Sequence, residues 1–336
     1  MIPMKIRTII FLCLLPLCVM VISIFVGRFS ISVSDVANSL LKLCGFQSSF
    51  VSIESFTVVS QLRIPRIIAS AFVGAALAAS GAAFQGIFRN PLASPSLLGV
   101  SSGAGFGAAL AIILFHTYWP TYIFAFAFGI IAVLSSYVIA RIYNTVPTIM
   151  LILGGMIVSS IFSALISLLK YVADVERELP AIVYWMMGSL SSVGYKSLWA
   201  LLPISCGLLI LQLYSWHINV LSMGDKEAHT MGVNVKRSKS LIISGATLAT
   251  AGAVCLSGVI GWVGLVIPHI GRMLAGNDNR KLLPFSMSIG AAFMTIIDTL
   301  SRIIVESEIP LGILTSLIGA PFFIFLLKKT RGGGWQ

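Results

Sequence analysis

Charged residues are scarce in this chain. Only 10% of its 336 residues are Asp, Glu, Lys or Arg, whereas 57% are hydrophobic and the mean hydropathy is +0.99. A soluble globular domain typically carries about 25% charged residues, so this balance excludes that class. Because no charge-rich stretch is long enough to fold by itself, we expect a single membrane domain over residues 1–336.

Motifs for enzymatic and metal chemistry are missing as well. The sequence contains no GxxxxGK[ST], which would cradle nucleotide phosphates, and no HExxH. His116, His217, His229 and His269 are scattered and lack metal-ligand spacing. The five cysteines form no CxxC and no plausible disulfide framework. We therefore expect no catalytic residues, cofactor or metal on this chain.

Apolar runs of membrane-spanning length are abundant instead. About 20 apolar residues cross a bilayer as a helix, and runs of this kind recur from end to end. They predict an all-α polytopic membrane protein with ten spans, the eighth being short. The first run starts with basic residues but is too long for a signal peptide, so we interpret it as a retained helix. The spans are predicted at residues 8–27, 64–88, 96–115, 118–140, 147–169, 196–216, 241–260, 262–275, 283–305 and 311–327.

The net charge of +11 follows the membrane topology. With the N-terminus inside, 14 Lys and Arg residues fall on inner segments and 8 on outer segments. Since basic residues are retained on the cytoplasmic side, this bias predicts that both termini and residues 217–240 are cytoplasmic. The basic excess is thereby accounted for, and it predicts no nucleic-acid partner. The polar island at 217–240 indicates a cytoplasmic protein partner instead.

Two segments of the chain resemble each other. GAALAASGAA at 74–83 and GATLATAGAV at 245–254 match at six positions, offset by 171 residues. On the predicted spans they cross the membrane in opposite directions, which is typical of an inverted repeat. Spans two to five are thus predicted to repeat as spans seven to ten, with span six as the connector. Chance similarity between Ala- and Gly-rich segments is the alternative.

Glycines and prolines indicate where helices pack and where they break. Gly74 with Ala78, and Gly99 with Gly103 and Gly107, recur every four residues, a spacing that lets helix backbones approach closely.

Breaks at membrane depth are predicted at 90–95 and 261–268, in corresponding parts of the two halves. Plain turns between helices are the alternative. Short amphipathic segments are predicted at 31–44 and 174–187 on the outer side.

Asp298 is the only acid deep in a predicted span. Intramembrane carboxylates often serve as proton relays, but Arg302 follows four residues later. An ion pair with Arg302, or a position at the outer mouth, explains this residue better than a relay.

A series of motifs carries a family resemblance over nearly the whole chain. It resembles the permease subunits of ABC importers for iron–siderophores, haem and vitamin B12, the FecCD type of type II importer. Two positions depart from that pattern: Lys226 replaces an acid in the usual Gly-Asp-Glu-x-Ala, and Asn279 stands where His is frequent. The motifs are RIPR (63–66), GAALAASGAAFQGIFRNPLASPSLLGVSSGAG (74–105), WMMGSL (185–190), GDKEA (224–228) with MGV (231–233), GWVGLVIPHIGRMLAGNDNRKLLP (261–284), DTLSR (298–302) and IPLGILTSLIGAPFFIFLL (309–327).

The resemblance implies an assembly in the bacterial inner membrane. Two copies of the chain would form a homodimer enclosing one path lined by spans five and ten. Two separate ATP-binding subunits, which hold ATP and Mg, would dock on the cytoplasmic side, and a substrate-binding protein would dock outside.

The resemblance also implies roles for individual residues. The loop around Gly224–Val233 would form two short coupling helices in a cleft of the ATPase, with small residues packed tightly there. The implied coupling residues are Gly224, Asp225, Glu227, Ala228 and Gly232; the implied docking residues are Arg63, Arg66 and Arg302; the implied gate residues are Asn90, Leu92, Thr145 and Thr148.

Two other classes of transport protein compete with this interpretation. A secondary transporter with inverted repeats needs buried coupling acids, which this chain almost lacks. An energy-independent channel needs no coupling loop. The sequence leaves the cargo open between iron–siderophore, haem or cobalamin complexes and an oxyanion such as molybdate.

Overall fold

The computed structural model describes residues 6–46, 52–141 and 147–329, and these parts of the chain are helical without any strand. Short 3-10 segments precede α5 and α9, at Pro95–Leu98 and Tyr195–Ala200. The helices are α1 (Ile6–Phe25), α2 (Val33–Leu43), α3 (Ile53–Thr57), α4 (Ile64–Phe88), α5 (Val100–Phe115), α6 (Tyr118–Ala140), α7 (Thr148–Val172), α8 (Glu178–Met187), α9 (Leu201–Leu213), α10 (Ser215–Met223), α11 (Asp225–Thr230), α12 (Val235–Ser257), α13 (Val263–Ala275), α14 (Asn279–Ile303) and α15 (Leu311–Lys329).

Ten of these helical segments correspond to the ten predicted spans. Six are long and apolar enough to cross a membrane, and shorter apolar helices occur at Ile10–Phe25, Val100–Phe115, Val263–Ala275 and Leu311–Phe325. The short eighth span is α13. The fold class predicted from the sequence is thereby confirmed, and α2 and α8 fall within the two predicted amphipathic segments.

Helix boundaries differ from the predicted spans where polar residues continue a helix. α12 begins at Val235, six residues before the predicted 241, because Asn234 caps it by accepting a hydrogen bond from the backbone N–H of Arg237. The second span is also longer than 64–88. A turn of π-helix at Val58–Arg63 joins α3 to α4, giving one helical segment from Ile53 to Phe88. Hydropathy detects the membrane crossing, not the whole helix.

The break predicted at 90–95 interrupts the helices, whereas the break predicted at 261–268 lies earlier in the chain than expected. After α4 the chain turns at Arg89, which has φ 50°, and regains α-helix only after Gly99, which has φ 84°. Gly99 therefore lies before α5 and not in its packing stripe, whereas Gly103 and Gly107 do pack against the backbone of α6. The second break runs from Gly258 to Trp262, between α12 and α13. Residues 263–268, predicted as part of this break, belong to α13, which contains Pro268 within the helix.

Three helices form the centre of the molecule. α4, α12 and α14 are mostly buried, while α6, α7 and α9 keep an exposed face. α4 packs on α13 and α14, and α12 packs on α5 and α6. Each half thus uses its first helix to contact the second and third helices of the other half, the reciprocal pattern expected of an inverted repeat.

Candidate functional site

Two ends of the helical bundle carry the predicted site residues. α4 has Arg66 in its first turn and ends at Phe88, and α14 begins at Asn279 and has Arg302 in its last turn. Each helix therefore has one end near the arginines and the other end near α10. We call these ends the arginine side and the hairpin side. The α10–α11 hairpin comprises residues 215–230.

Gly224 separates the two helices of the α10–α11 hairpin. Its φ of 141° and ψ of 157° favour glycine and end α10. Asp225 and Glu227 follow in the first turn of α11, where carboxylates stabilise a helix N-terminus. Gly232, with φ 79°, closes the segment. Two short helices are present as predicted, but the first lies before Gly224 and not within residues 224–233.

Ala228 points into the chain and not to its surface. Its side chain is 0% exposed and belongs to a buried cluster with Leu221 and Val233. The expectation that Ala228 packs directly on a partner is therefore corrected: its small side chain serves the packing of the hairpin itself. The residues that the hairpin and the following turn expose include Met223, Lys226, Glu227, Thr230 and Met231.

A hydrogen-bond cluster ties the α10–α11 hairpin to α14. Asn219 of α10 donates from Nδ2 to Asp278 Oδ1 at 2.6 Å, and its Oδ1 accepts from Asn279 N at 2.7 Å and Asn279 Nδ2 at 2.8 Å. Asp278 also caps α14 by accepting from Arg280 N at 3.1 Å. Because α10 packs on α4 as well and α11 packs on α12, the hairpin is attached to all three central helices.

We expect the Asp278 carboxylate to stabilise this junction in a pH-dependent way. Hydrogen bonds from Arg280 and Asn219 lower the pKa of Asp278 from 3.8 to about 2. Since the folded-state pKa is the lower one, the stabilisation is present above pH 3.8 and is lost as the pH falls toward 2. Asp278→Ala should lower the free energy of unfolding by about 0.5–2 kcal/mol at neutral pH.

Thermal unfolding in detergent, at neutral pH and between pH 2 and 3.8, measures this effect. Asp278→Asn is the matched control because it keeps a capping oxygen without the charge, so its smaller loss should not vary with pH. An Asp278→Ala deficit of equal size at both pH values would show that the charge contributes nothing.

The predicted gate residues occupy separate surroundings. Asn90 is exposed, and its Oδ1 accepts from Leu92 N at 2.9 Å, so it caps its own turn; Leu92 is 54% exposed. Thr148 begins α7, and its Oγ1 accepts from Lys239 Nζ at 3.3 Å. Thr145 lies outside the described residues. The described gate residues all lie on the hairpin side, and their gating role stays a prediction.

Arg63, Arg66 and Arg302 converge on the arginine side, but their side chains are buried. Arg66 donates from Nε to Asp298 Oδ1 at 2.8 Å. Its Nη1 and Nη2 donate to the two carboxylate oxygens of Glu308 at 2.8 and 3.0 Å. Arg302 Nε lies 3.4 Å from Asp298 Oδ2. The predicted ion pair between Asp298 and Arg302 exists, and Arg66 makes the shorter one.

Arg63 is held by backbone carbonyls and not by an acid. Its Nη1 donates to Ile24 O and its Nη2 to Phe29 O, each at 2.6 Å. These carbonyls lie at and beyond the end of α1, where unpaired carbonyls favour a cation. In this structure all three predicted docking arginines therefore have partners within the chain. Their docking role stays a prediction, and it requires those internal contacts to be shared or exchanged.

A cavity of about 240 Å³ opens beside these arginines. Arg28, Arg63, Arg66, Arg302 and Glu308 supply its charged lining. Four guanidinium groups facing one carboxylate give the cavity a positive potential that suits an incoming acidic side chain.

Several residues of these two regions carry no signal in the sequence. Glu308 is 242 residues from its partner Arg66, and Lys239 is 91 residues from Thr148 and 14 from Asp225. No local motif links residues so far apart. Another unpredicted feature is a cavity of about 530 Å³ on the arginine side, lined by α8 residues that include Glu178, Tyr184 and Trp185.

Comparison with known proteins identifies the family. A model of the FecCD transport family matches residues 14–329, nearly the whole chain. The chain belongs to the FecCD transport family. Named relatives are similar to this chain in sequence over most of their length. Over 317 residues it is 41% identical to the molybdate import system permease protein MolB of Haemophilus influenzae, covering 94% of this chain and 93% of that protein.

A second FecCD relative comes from an archaeon. The chain is 43% identical to the cobalamin import system permease protein BtuC of Halobacterium salinarum over 278 residues. This aligned region covers 81% of this chain and 73% of that protein. A solved structure described as an inward-facing, metal-chelate type ABC transporter is 39% identical, with a TM-score of 0.85 over 96% of this chain and 99% of that one. This FecCD chain is therefore a permease subunit of an ABC importer, a class that works with ATPase and substrate-binding partners.

Proposed function

We propose that this permease moves a metal complex inward across the inner (plasma) membrane of a bacterial cell, as a homodimer driven by ATP hydrolysed on two separate subunits. In this arrangement the hairpin side and both chain termini face the cytoplasm. The observation that carries the proposal is the α10–α11 hairpin, whose second helix is polar and mostly exposed while its first helix is fixed to the central helices, in a chain without a nucleotide-binding motif.

The hairpin has the surface that an ATPase contact requires. Met223 and Met231 are 62% and 51% exposed, outside the membrane-spanning helices, and charged Lys226 and Glu227 lie between them. Methionine at an exposed position suits an interface because its flexible thioether adapts to a partner. We assign ATPase contact to this exposed face, with Gly224, Asp225, Ala228 and Gly232 shaping the hairpin behind it.

The exposed face of α7 supports a path at a homodimer interface. Ser160, Ser163 and Ser167 lie exposed along one side of this membrane helix, and Ser316 is exposed on α15. Polar side chains in a membrane helix typically face protein or water, not lipid. A second copy packed against α7 and α15 would enclose these hydroxyls in a path for polar cargo.

The cargo class rests on relatives named for metal-containing substrates. These relatives are permeases for molybdate, cobalamin and iron chelatin, the last 40% identical. We propose a metal complex of the iron–siderophore, haem or cobalamin class, with an oxyanion such as molybdate as the second candidate.

Reconstitution tests the proposal. The permease, its co-purified ATPase and its binding protein are placed in proteoliposomes, and uptake of ferric siderophore, haem, cobalamin and molybdate is followed with and without ATP. We expect ATP-dependent uptake of one cargo. Uptake driven by an ion gradient in the absence of ATP would instead identify a secondary transporter.

We further expect Glu308→Gln to tighten docking of the binding protein. Glu308 occupies two donors of Arg66 on the wall of the positively charged cavity. Removing its charge leaves these donors to a carboxylate of the partner. A partly exposed pair of this kind is worth about 0.2–1 kcal/mol, so the affinity should rise by at most a few-fold and become more sensitive to salt.

Biolayer interferometry on the permease in nanodiscs, over a series of NaCl concentrations, provides the measurement. Glu54→Gln, an exposed acid in α3, serves as the control for net charge. Equal or weaker docking by Glu308→Gln would show that the cavity beside the arginines is not part of the docking surface.

A further inference from the structure

Lys239 connects the α10–α11 hairpin to the beginning of α7. It belongs to α12, and its side chain is only 5% exposed. Its Nζ donates to Asp225 Oδ2 at 2.7 Å and to Thr148 Oγ1 at 3.3 Å. One buried ammonium thus contacts the first residue of α11 and the first residue of α7.

The ammonium needs Asp225 for electrostatic reasons. A buried lysine that loses its countercharge is strongly destabilised. The location adds to this cost, because the N-terminus of a helix is positive and the first turn of α7 contains no acid. Asp225 is the carboxylate that makes a cation tolerable at this helix end.

The two partners of Lys239 differ in how firmly they are held. Thr148 is part of a membrane-spanning helix of 25 residues, whereas the Asp225 side chain is 47% exposed on the hairpin. A displacement of α11 would withdraw the countercharge from Lys239. The ammonium then has to follow Asp225 and release Thr148, or α7 has to shift with it.

We propose that Lys239 is a positioning residue that transmits movement of α11 to the N-terminus of α7. The inference rests on the proposed function, in which an ATPase moves the hairpin. Loss of the ammonium should leave the ATPase contact intact, because α10 stays tied to α14 through Asn219 and Asp278, but should disconnect α7 from it.

Two cysteine reporters can separate these events. The five native cysteines are replaced, and Thr230→Cys on α11 or Ile149→Cys beside Thr148 is introduced; both positions are exposed. The complex with the ATPase is purified in nanodiscs, and the rate of maleimide labelling is compared without nucleotide and with ATP plus vanadate. In the otherwise unsubstituted complex we expect nucleotide to change both rates.

Lys239→Met should retain the change at Thr230→Cys and lose the change at Ile149→Cys. Asp225→Asn and Thr148→Val break the same link from its two ends and should behave alike, while Lys239→Arg should restore the response. Lys236→Met, an exposed lysine three positions earlier on the same helix, should keep both responses.

Responses at both reporters in Lys239→Met, Asp225→Asn and Thr148→Val would overturn the inference. If Lys239→Met fails to assemble, Thr148→Val decides, since it removes one hydroxyl and keeps the ion pair between Lys239 and Asp225. Absence of any response in the unsubstituted reporters would instead contradict the proposed function, so the two failures are distinguishable.

Discussion

Replacing Asp298 with alanine is expected to lower the free energy of unfolding by about 3–5 kcal/mol, since removing one partner of a buried ion pair leaves the other charge uncompensated. Asp298 is 0% exposed and lies between the guanidinium groups of Arg66 and Arg302, which are themselves 7% and 8% exposed. Without its carboxylate, two buried cations face each other with only Glu308, at the rim, to compensate them.

The effect should be measured by unfolding in mixed micelles with increasing SDS. Asp298→Asn keeps an oxygen for the Nε–H of Arg66 but removes the charge, so it should fall between the alanine variant and the unsubstituted chain. Glu306→Ala removes an exposed acid of the same region and should change little. A loss for Asp298→Ala no larger than that for Glu306→Ala would contradict the structural role of this carboxylate.

The docking role of the three arginines was implied by the family resemblance, and their packing role could not be predicted from the sequence. Arg63, Arg66 and Arg302 fall at the ends of apolar runs, where an arginine is ordinarily exposed to water or headgroups. Their actual partners are the carbonyls of Ile24 and Phe29 and the carboxylates of Asp298 and Glu308. Only the folded chain brings these groups together.

Helix number and order were predictable because each depends on local composition. α6 begins and ends where the span 118–140 was predicted, and α4 ends at the predicted residue 88, since polar residues follow both apolar runs. The start of α12 was not predictable from hydropathy, because its first turn is polar and is set by the Asn234 cap.

The hairpin shows the limit of assigning roles by motif. Gly224–Ala228 is recognisable as a segment, and its helix forms there. Which of its side chains face outward depends on where the hairpin packs against α12, and that packing buries Ala228 while exposing Lys226 and Glu227. Lys239, the residue that links this hairpin to α7, lies outside the motif altogether.

A second large effect is expected from Gly74→Val, which should prevent α4 and α14 from packing. A Cβ at position 74 would overlap the carbonyl oxygen of Gly290 and lie 2.7 Å from Met294 Cβ. Gly290 is equally constrained, since its own Cβ would lie 2.7 Å from Ala78 Cβ. The obstacle is helix backbone on both sides, so no side chain can rotate away to make room.

The series Gly74→Ala and Gly74→Val separates packing from helix propensity. In a helix interior, Gly→Ala should stabilise by about 1 kcal/mol through propensity alone, whereas overfilling a packed contact costs about 1–3 kcal/mol. We therefore expect Gly74→Ala to lower the thermal stability of the purified permease despite its better propensity, and Gly74→Val to abolish the folded peak in size-exclusion chromatography.

Gly194→Ala is the control, because a Cβ there meets nothing within 4 Å. Stabilisation by Gly74→Ala would mean that the two backbones are further apart, and that the small residues at 74 and 78 do not set the approach of α4 to α14.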